Sequence, residues 1–514
     1  MRTPVSLPRA IPKMLVALLL TLRASPASSQ VGPKPSTNIA CGTPSAPGTC
    51  YIVSMASHDR RSVRVRAHIV LTDTLLLMYP EGADHVPDSW ATFVRDLVAT
   101  DGAGNVLPLR SLGHAQWSVP TPRPATLDLS YEVLIHHDAG QWPFGSKEAA
   151  FARDDATFLT GKALFITQYA MADVRVRWDL PAEWKLATPW GEVLGTPNTY
   201  RVKDVYELLE VGMMVGRHIQ RTTTMGDVSV TLAVGHDLEQ SVTLLEQTVQ
   251  PIIAAAARIF AGTPPGKFVV IANRDSYDGG TTFTRSFDVV FKTLPDLTNR
   301  DNWGHVVTHE MLHLWNGLAI RTGDQAQEYW FSEGFTDYLA NLIETRTGMI
   351  TRERFFSRLG EHIDKYNALA GTVSLRKAGD DKAKYYDLVY SGGLLAAFAL
   401  DMEIRARTEG RRSLDDVMRA MYRDFSPPGR TYVMSDVVRE ASGVAGADLS
   451  GFFSAYVEGR ERLPVDRALA SLGRRAIPLN RAPMTRIWLD PRRSRLQRAR
   501  EDQLLGGPAP DQRP

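Results

Sequence analysis

Residues 305–317 read HVVTHEMLHLWNG, and inside them lies His309-Glu310-Met311-Leu312-His313. On an α-helix, residues four apart sit about 40° from one another around the axis, so both imidazoles point to one side. Two imidazole nitrogens on one side can share a metal ion at about 2.0–2.1 Å from each. Glu310, about 100° round from His309, falls beside such an ion rather than on it. A zinc ion brings the pKa of its water towards about 7, where a neighbouring carboxylate suffices as general base. A helix with two ordinary histidines and a surface glutamate would carry the same five letters, so the surrounding sequence has to separate the two readings.

A catalytic zinc keeps three protein ligands and one open position, so a third donor should lie close by. Residues 329–340 read YWFSEGFTDYLA, with Glu333 at the head of an amphipathic helical pattern. Between the two segments, Gly323-Asp324 is a turn signal that can bring the chain back antiparallel. Glu333 then faces the two histidines. Asp337, four residues on, shares its helical face and can hydrogen-bond the far nitrogen of a metal-bound histidine. A solvated helix face would also show two acids at this spacing. Here Trp330, Phe331, Phe335 and Tyr338 crowd around them, and buried carboxylates need a partner such as a metal. A structural zinc site would be closed by four ligands, usually with Cys, and neither cysteine is in this region. The cofactor expected is one Zn2+ ion on His309, His313 and Glu333, with Glu310 as base.

Outward from this segment the organisation is mixed. Downstream, helices are expected at about 302–318, 327–346, 351–367, 388–408, 413–424 and 434–441. Upstream, 220–235 reads as a strand. Residues 237–260 place Leu244, Leu245, Val249, Ile252, Ile253 and Ala256 at helical spacing, and Phe268–Ala272 (FVVIA) reads as a buried strand. Residues 51 to about 215 are β-rich: Thr126–Ile135 (TLDLSYEVLI) alternates apolar and polar, and signals such as Asp101-Gly102 mark turns. The fold class expected is α+β and multidomain. A β-sandwich-like domain spans 40–220, an α/β catalytic domain 221–350 and a helical domain 351–474.

The first 29 residues read as a cleavable secretory signal. Arg2, Arg9 and Lys13 precede the apolar run Met14–Leu22, and small residues follow in Ala24–Ser29. That run is shorter than the about 20 residues a bilayer span needs; an uncleaved anchor is the alternative. The chain is thus expected to be exported, periplasmic or extracellular, without stable membrane insertion. Cys41 and Cys50 flank a turn-rich loop and suit a small local disulfide, or two free thiols. Residues 475–514 are basic and end in GGPAPDQRP, which predicts a disordered tail. With 59 basic and 57 acidic residues the net charge is +2, which speaks against the strongly basic face of a nucleic-acid binder.

HEMLHLWNG followed by YWFSEGFTDYLA resembles the gluzincin peptidases, and the Trp315-Asn316 pair is similar to the glycyl-aminopeptidase family. The stretch 390–422 (YSGGLLAAFALDMEIRARTEGRRSLDDVMRAMY) and LLLMYPEG at 75–82 fit the same family, so the likeness covers roughly 50–460. The resemblance implies an N-terminal β domain followed by a thermolysin-like catalytic domain, and a peptide or protein substrate. It also implies that Tyr390 stabilises the oxyanion, with Tyr385 and Tyr386 as competitors. Two departures stand out. Where the family usually has a Gly-Gly-x-Glu-His segment, this chain has Asp278-Gly279-Gly280-Thr281-Thr282-Phe283. The acid that helps hold the substrate's free amine is thus replaced by Thr282, although Gly279 and Gly280 can still shape a strand edge along which a peptide lies, or a simple turn. The family's usual C-terminal PDZ domain also has no counterpart in the 40 residues after 474. The function expected is a zinc-dependent, aminopeptidase-like peptidase. An endopeptidase, a zinc hydrolase of non-peptide substrates, and a catalytically inactive peptide-binding protein on the same fold are the alternatives.

Overall fold

The computed structural model describes residues 48–479 and 485–506, apart from residues 136, 138–148 and 154. The expected signal segment and Cys41 lie outside the described residues. Cys50 is buried and disulfide-bonded at the start of the first strand. Among the described residues no helix is long and apolar enough to cross a membrane.

The β-rich part is built from a seven-stranded sheet whose spine is Cys50–Ala56, Asp59–Val70 and Thr126–Leu134. Period-two sequence becomes one buried face there: TLDLSYEVL alternates buried and half-buried along its whole length. A four-stranded sheet containing Ala156–Thr160 and Gly212–Gly216 lies beside it.

The second half is built on a five-stranded sheet. Its strands are β1 (Ile219–Met225), β2 (Val228–Val234), β3 (Gly266–Arg274), β4 (Gly279–Phe283) and β5 (Ser286–Phe291). Their spatial order is β1-β2-β3-β5-β4, with β2, β3 and β5 parallel and the edge strand β4 antiparallel to β5. The expected single strand at 220–235 is therefore a hairpin. Helix α1 (Val242–Phe260) crosses from β2 to β3. Phe158, Met214, Val269, Ile271 and Phe283 form one apolar cluster in which residues of the four-stranded sheet meet residues of this one.

Six further helices matter here: α2 (Arg300–Leu312), α3 (Gln325–Ser332), α4 (Gly334–Arg346), α5 (Arg352–Leu369), α6 (Gly393–Arg407) and α7 (Arg495–Leu505). The expected helix at 327–346 is two helices that meet at Glu333, and the one at 388–408 starts as a turn of π-helix, Leu388–Gly392. Both differences occur where backbones nearly touch. A Cβ on Gly334 would stand 2.3 Å from Gly393 Cα, and one on Gly393 would stand 2.3 Å from the Trp330 carbonyl oxygen. Only glycine permits that approach.

The disordered tail expected at 475–514 is corrected for its described residues, 475–479 and 485–506. Strands Arg474–Pro478 and Thr485–Leu489 pair, and α7 packs with Leu504 and Leu505 buried. The basic composition is offset by acids inside the same segment: Arg474 makes a two-pronged pair with buried Glu501 (2.7 and 3.1 Å), which Arg493 also reaches at 2.6 Å. A capping box from Ser494 and Gln497 starts α7.

On β5, Asp288 is fully buried, with one oxygen bonded to Asn273 Nδ2 at 2.8 Å and the other without a hydrogen-bond partner. Burial pushes its carboxyl up to about 8, against the pull of Asn273. The folded state therefore keeps a proton that the unfolded chain releases near pH 4. The contribution of Asp288 to stability is full below about pH 4 and is lost as pH rises towards 8. Asp288→Asn should remove most of that dependence, gaining on the order of 2–5 kcal/mol over wild type at pH 8 relative to pH 4. Denaturant unfolding of both proteins at the two pH values checks it.

Candidate metal centre

Helix α2 turns Trp303, Val307, Met311 and Leu312 into the core, which leaves His305, His309 and His313 stacked at successive turns of the opposite side. The helix ends at Leu312, and His313 caps it. Gly317, at φ 145°, lets the chain double back so closely that a Cβ there would lie 3.4 Å from His313 Nδ1.

The junction of α3 and α4 supplies the third group. His309 Nε2 and His313 Nε2 are 3.0 Å apart, and each lies 3.3 Å from Glu333 Oε2. A tetrahedral ion with donors at about 2.0–2.1 Å separates those donors by about 3.3 Å. The tautomers agree. His309 Nδ1 lies 2.7 Å from Asp337 Oδ1 and His313 Nδ1 lies 3.0 Å from the Asn316 carbonyl oxygen. Both partners only accept, so both Nδ1 atoms carry hydrogen and both Nε2 lone pairs face Glu333. Three electron-rich atoms facing one another require a cation between them, so the residues present fit a metal ion. Among the described residues these three form the group able to hold one.

Charge settles the ligand states. Burial works against the Glu333 anion, and the Lys382 ammonium favours it. Lys382 Nζ is 2.8 Å from Glu333 Oε1, which leaves Oε2 to the histidines. Burial also opposes the Asp337 anion, and hydrogen bonding from the His309 and His305 rings favours it.

Beside the triad, Glu310 is wedged against the edge strand. Thr282 Oγ1 donates to Glu310 Oε2 at 2.6 Å, and a Cβ on Gly280 would come within 2.6 Å of Glu310 Cγ. Gly279 and Gly280 thus belong to strand β4 rather than to a turn. Tyr390 faces the centre from the π-turn, its ring 6.1 Å from that of His309, and Tyr386 stacks on it at 4.3 Å. Burial, then Glu333, raises the Tyr390 phenol well above its usual value, so it stays a donor. Both tyrosines line the cleft; Tyr385 does not. The cleft has a volume of about 1170 Å³, with walls from both halves of the chain: Tyr79, Gln168 and Tyr206 on one side, α2, β4 and the π-turn on the other.

The sequence reading named Asn316 only as part of a pair and gave it no task. Its amide donates to the Phe331 and Ser332 carbonyls (3.2 and 3.3 Å) and to Thr336 Oγ1 (3.1 Å), tying the α3–α4 junction to the end of α2. Lys382 and His305 were missed outright. His305 had a signal, since it stands four residues before His309; Lys382 is distant in sequence and had none.

Residues 50–217 match the model of the peptidase M61 N-terminal domain, and residues 303–387 match that of M61 glycyl aminopeptidase. In these two segments the chain resembles the M61 glycyl aminopeptidases. No curated protein matches it. Among solved structures, this chain is similar in fold to an aminopeptidase N family protein from Idiomarina loihiensis, at TM-score 0.72 and 16% identity over 85% of this chain and 81% of that one. An M1 zinc metallopeptidase from Deinococcus radiodurans, a mutant of which was solved bound to a Tyr-Ser-Ala substrate, gives TM-score 0.55 and 17% identity over 81% of this chain and 95% of that one. The two family matches support a peptidase, and the solved neighbours share its fold.

The packing at Gly280 carries a direct test. Gly280→Ala should displace Glu310 and cost about 1–3 kcal/mol while leaving the three metal donors in place. Denaturant unfolding measures the first effect and zinc stoichiometry after dialysis the second.

Proposed function

We propose that this chain is a zinc-dependent peptidase, aminopeptidase-like in architecture, that hydrolyses peptide bonds in the cleft above His309, His313 and Glu333. The observation that carries the reading is the convergence of the three lone pairs, with Glu310 beside them and an open side towards the cleft. Zinc, when bound there, supplies a Lewis acid for the scissile carbonyl and lowers the pKa of water.

The chain's own residues do the rest. Glu310, oriented by Thr282, accepts a proton from the attacking water and delivers one to the departing amine. Tyr390, kept protonated, donates a hydrogen bond to the carbonyl oxygen as negative charge develops on it. Asp337 and the Asn316 carbonyl hold the two imidazoles in the tautomer that offers Nε2. Edge strand β4 offers main-chain groups along which a peptide can lie extended.

A second reading, cleavage inside longer peptides, is favoured by one observation. Strand β4 (GGTTF) carries no carboxylate of its own, and the Thr282 hydroxyl is already engaged with Glu310, so the strand brings no acid to a substrate's amino terminus.

The experiment is a peptide panel with free and blocked amino termini, run on zinc-loaded wild type and on Glu310→Gln. Wild type should hold one equivalent of zinc and cleave. The variant should keep the zinc and lose about 10²–10⁴-fold in rate. Cleavage of free-amine peptides alone supports the aminopeptidase, and cleavage of blocked ones the endopeptidase. Zinc-loaded wild type that cleaves nothing would instead mark an inactive peptide-binding protein. A fully active variant would remove Glu310 from its role.

A further inference from the structure

One turn before His309 on α2, His305 is clamped between two carboxylates of α4. Its Nδ1 lies 2.8 Å from Glu344 Oε1 and its Nε2 lies 3.3 Å from Asp337 Oδ1. Ionised carboxylates only accept hydrogen bonds, and a neutral imidazole has a single N–H. Both ring nitrogens can donate at once only as the imidazolium. The electrostatics agree: burial works against the charge, Glu344 and Asp337 outweigh it, and the ring is pushed up to about 9.

Among the packed neighbours one cation approaches the ring, and it is itself held by Glu344. From α5, Arg358 Nη1 lies 2.6 Å from Glu344 Oε2 and 3.0 Å from Asn341 Oδ1, and its approach to His305 Nδ1 is 3.4 Å. Glu344 therefore sits between two cations. His362, also on α5, is lowered to about 4 by burial and adds no charge. On α2 itself, the His309 ring centre is 6.4 Å away, while Asp301 is paired with Arg354 at 2.9 Å. His305 also reaches the cleft, with 24% of its side chain exposed.

The decisive feature is that one atom serves both rings. Asp337 Oδ1 accepts from His309 Nδ1 at 2.7 Å and faces His305 Nε2 at 3.3 Å. We propose that His305 is a positioning residue of the metal centre, a fixed positive charge that draws on Asp337, weakens its pull on His309, and so makes the metal more acidic. A carboxylate behind a ligating histidine raises that ligand's basicity, and a more basic ligand set makes bound water a weaker acid. A cation sharing the same oxygen works in the opposite direction, and its field adds to the effect. A purely structural role, holding Asp337 in place, would need the ring but not the charge.

This inference rests on the metal reading above and is tested apart from activity. The zinc-site protein is loaded with Co2+, and the pH midpoint of its visible spectrum is recorded for wild type, His305→Gln and His305→Lys, each first checked by thermal unfolding. The partly exposed position accommodates both side chains. Losing one unit charge at about 8 Å should raise the midpoint by about 0.5–1.5 pH units in the Gln variant, with the acid limb of kcat/KM moving in parallel. The Lys variant, which keeps the charge, should stay near wild type. A Gln variant with an unmoved midpoint, or a Lys variant that moves as far as Gln, would overturn the role assigned to the charge. Protein that takes up no cobalt at all would instead sink the metal site itself, and this inference with it.

Discussion

Three lone pairs on His309 Nε2, His313 Nε2 and Glu333 Oε2 are held facing one another at 3.0–3.3 Å, an arrangement that repels itself unless a cation joins it. Left alone, such side chains would rotate apart or take up protons. Each is therefore tied on its far side. Asp337 and the Asn316 carbonyl fix the histidine rings, and Lys382 occupies the other oxygen of Glu333. Preorganisation of this kind places the cost of assembling the centre in the folding of the helices rather than in the capture of the ion.

Those ties work only because two backbone crossings are unusually close. Gly334 against Gly393 lets α4 and α6 touch, which puts Glu333 and Tyr390, one on each side of that contact, over the same point. The Asn316 amide then stitches the end of α2 to the α3–α4 junction. The centre is thus a consequence of helix–helix geometry, with the donor residues sitting at helix ends and junctions where small backbone adjustments aim them. A π-turn under Tyr390 is another such adjustment.

How much of this could be read from the chain depended on sequence distance. His309, Glu310 and His313 were legible because helical spacing alone puts them together, and Glu333 and Asp337 because they recur four apart on the next helix. The alternating strand Thr126–Leu134 was legible for the same reason of periodicity. Lys382 was not, since its pairing with Glu333 is a tertiary contact with no local pattern behind it. Thr282 read as the loss of an acid, and the structure shows a hydroxyl with a positive task on Glu310. The C-terminal segment read as disordered because composition counts its arginines and not the buried Glu501, which gathers Arg493 of that segment together with Arg474 and Arg352 at 2.6–3.8 Å.

The charges around the centre show a consistent division. Anions Glu333, Asp337 and Glu344 line one path outward from the point that the three donors face, and each is met by a cation placed away from it: Lys382, His305 and Arg358 in turn. Unpaired, three buried carboxylates would raise one another's pKa values and bind protons in place of metal. Fully neutralised by direct neighbours of the ion, they would offer it too weak a field to bind. Cations on the far side of each carboxylate avoid both outcomes, because the interaction falls with distance while the anion nearest the ion keeps its lone pair free. Glu310 stands outside this scheme, bonded by the neutral Thr282 hydroxyl rather than by a cation. The neutral partner orients this group without setting a full positive charge against it.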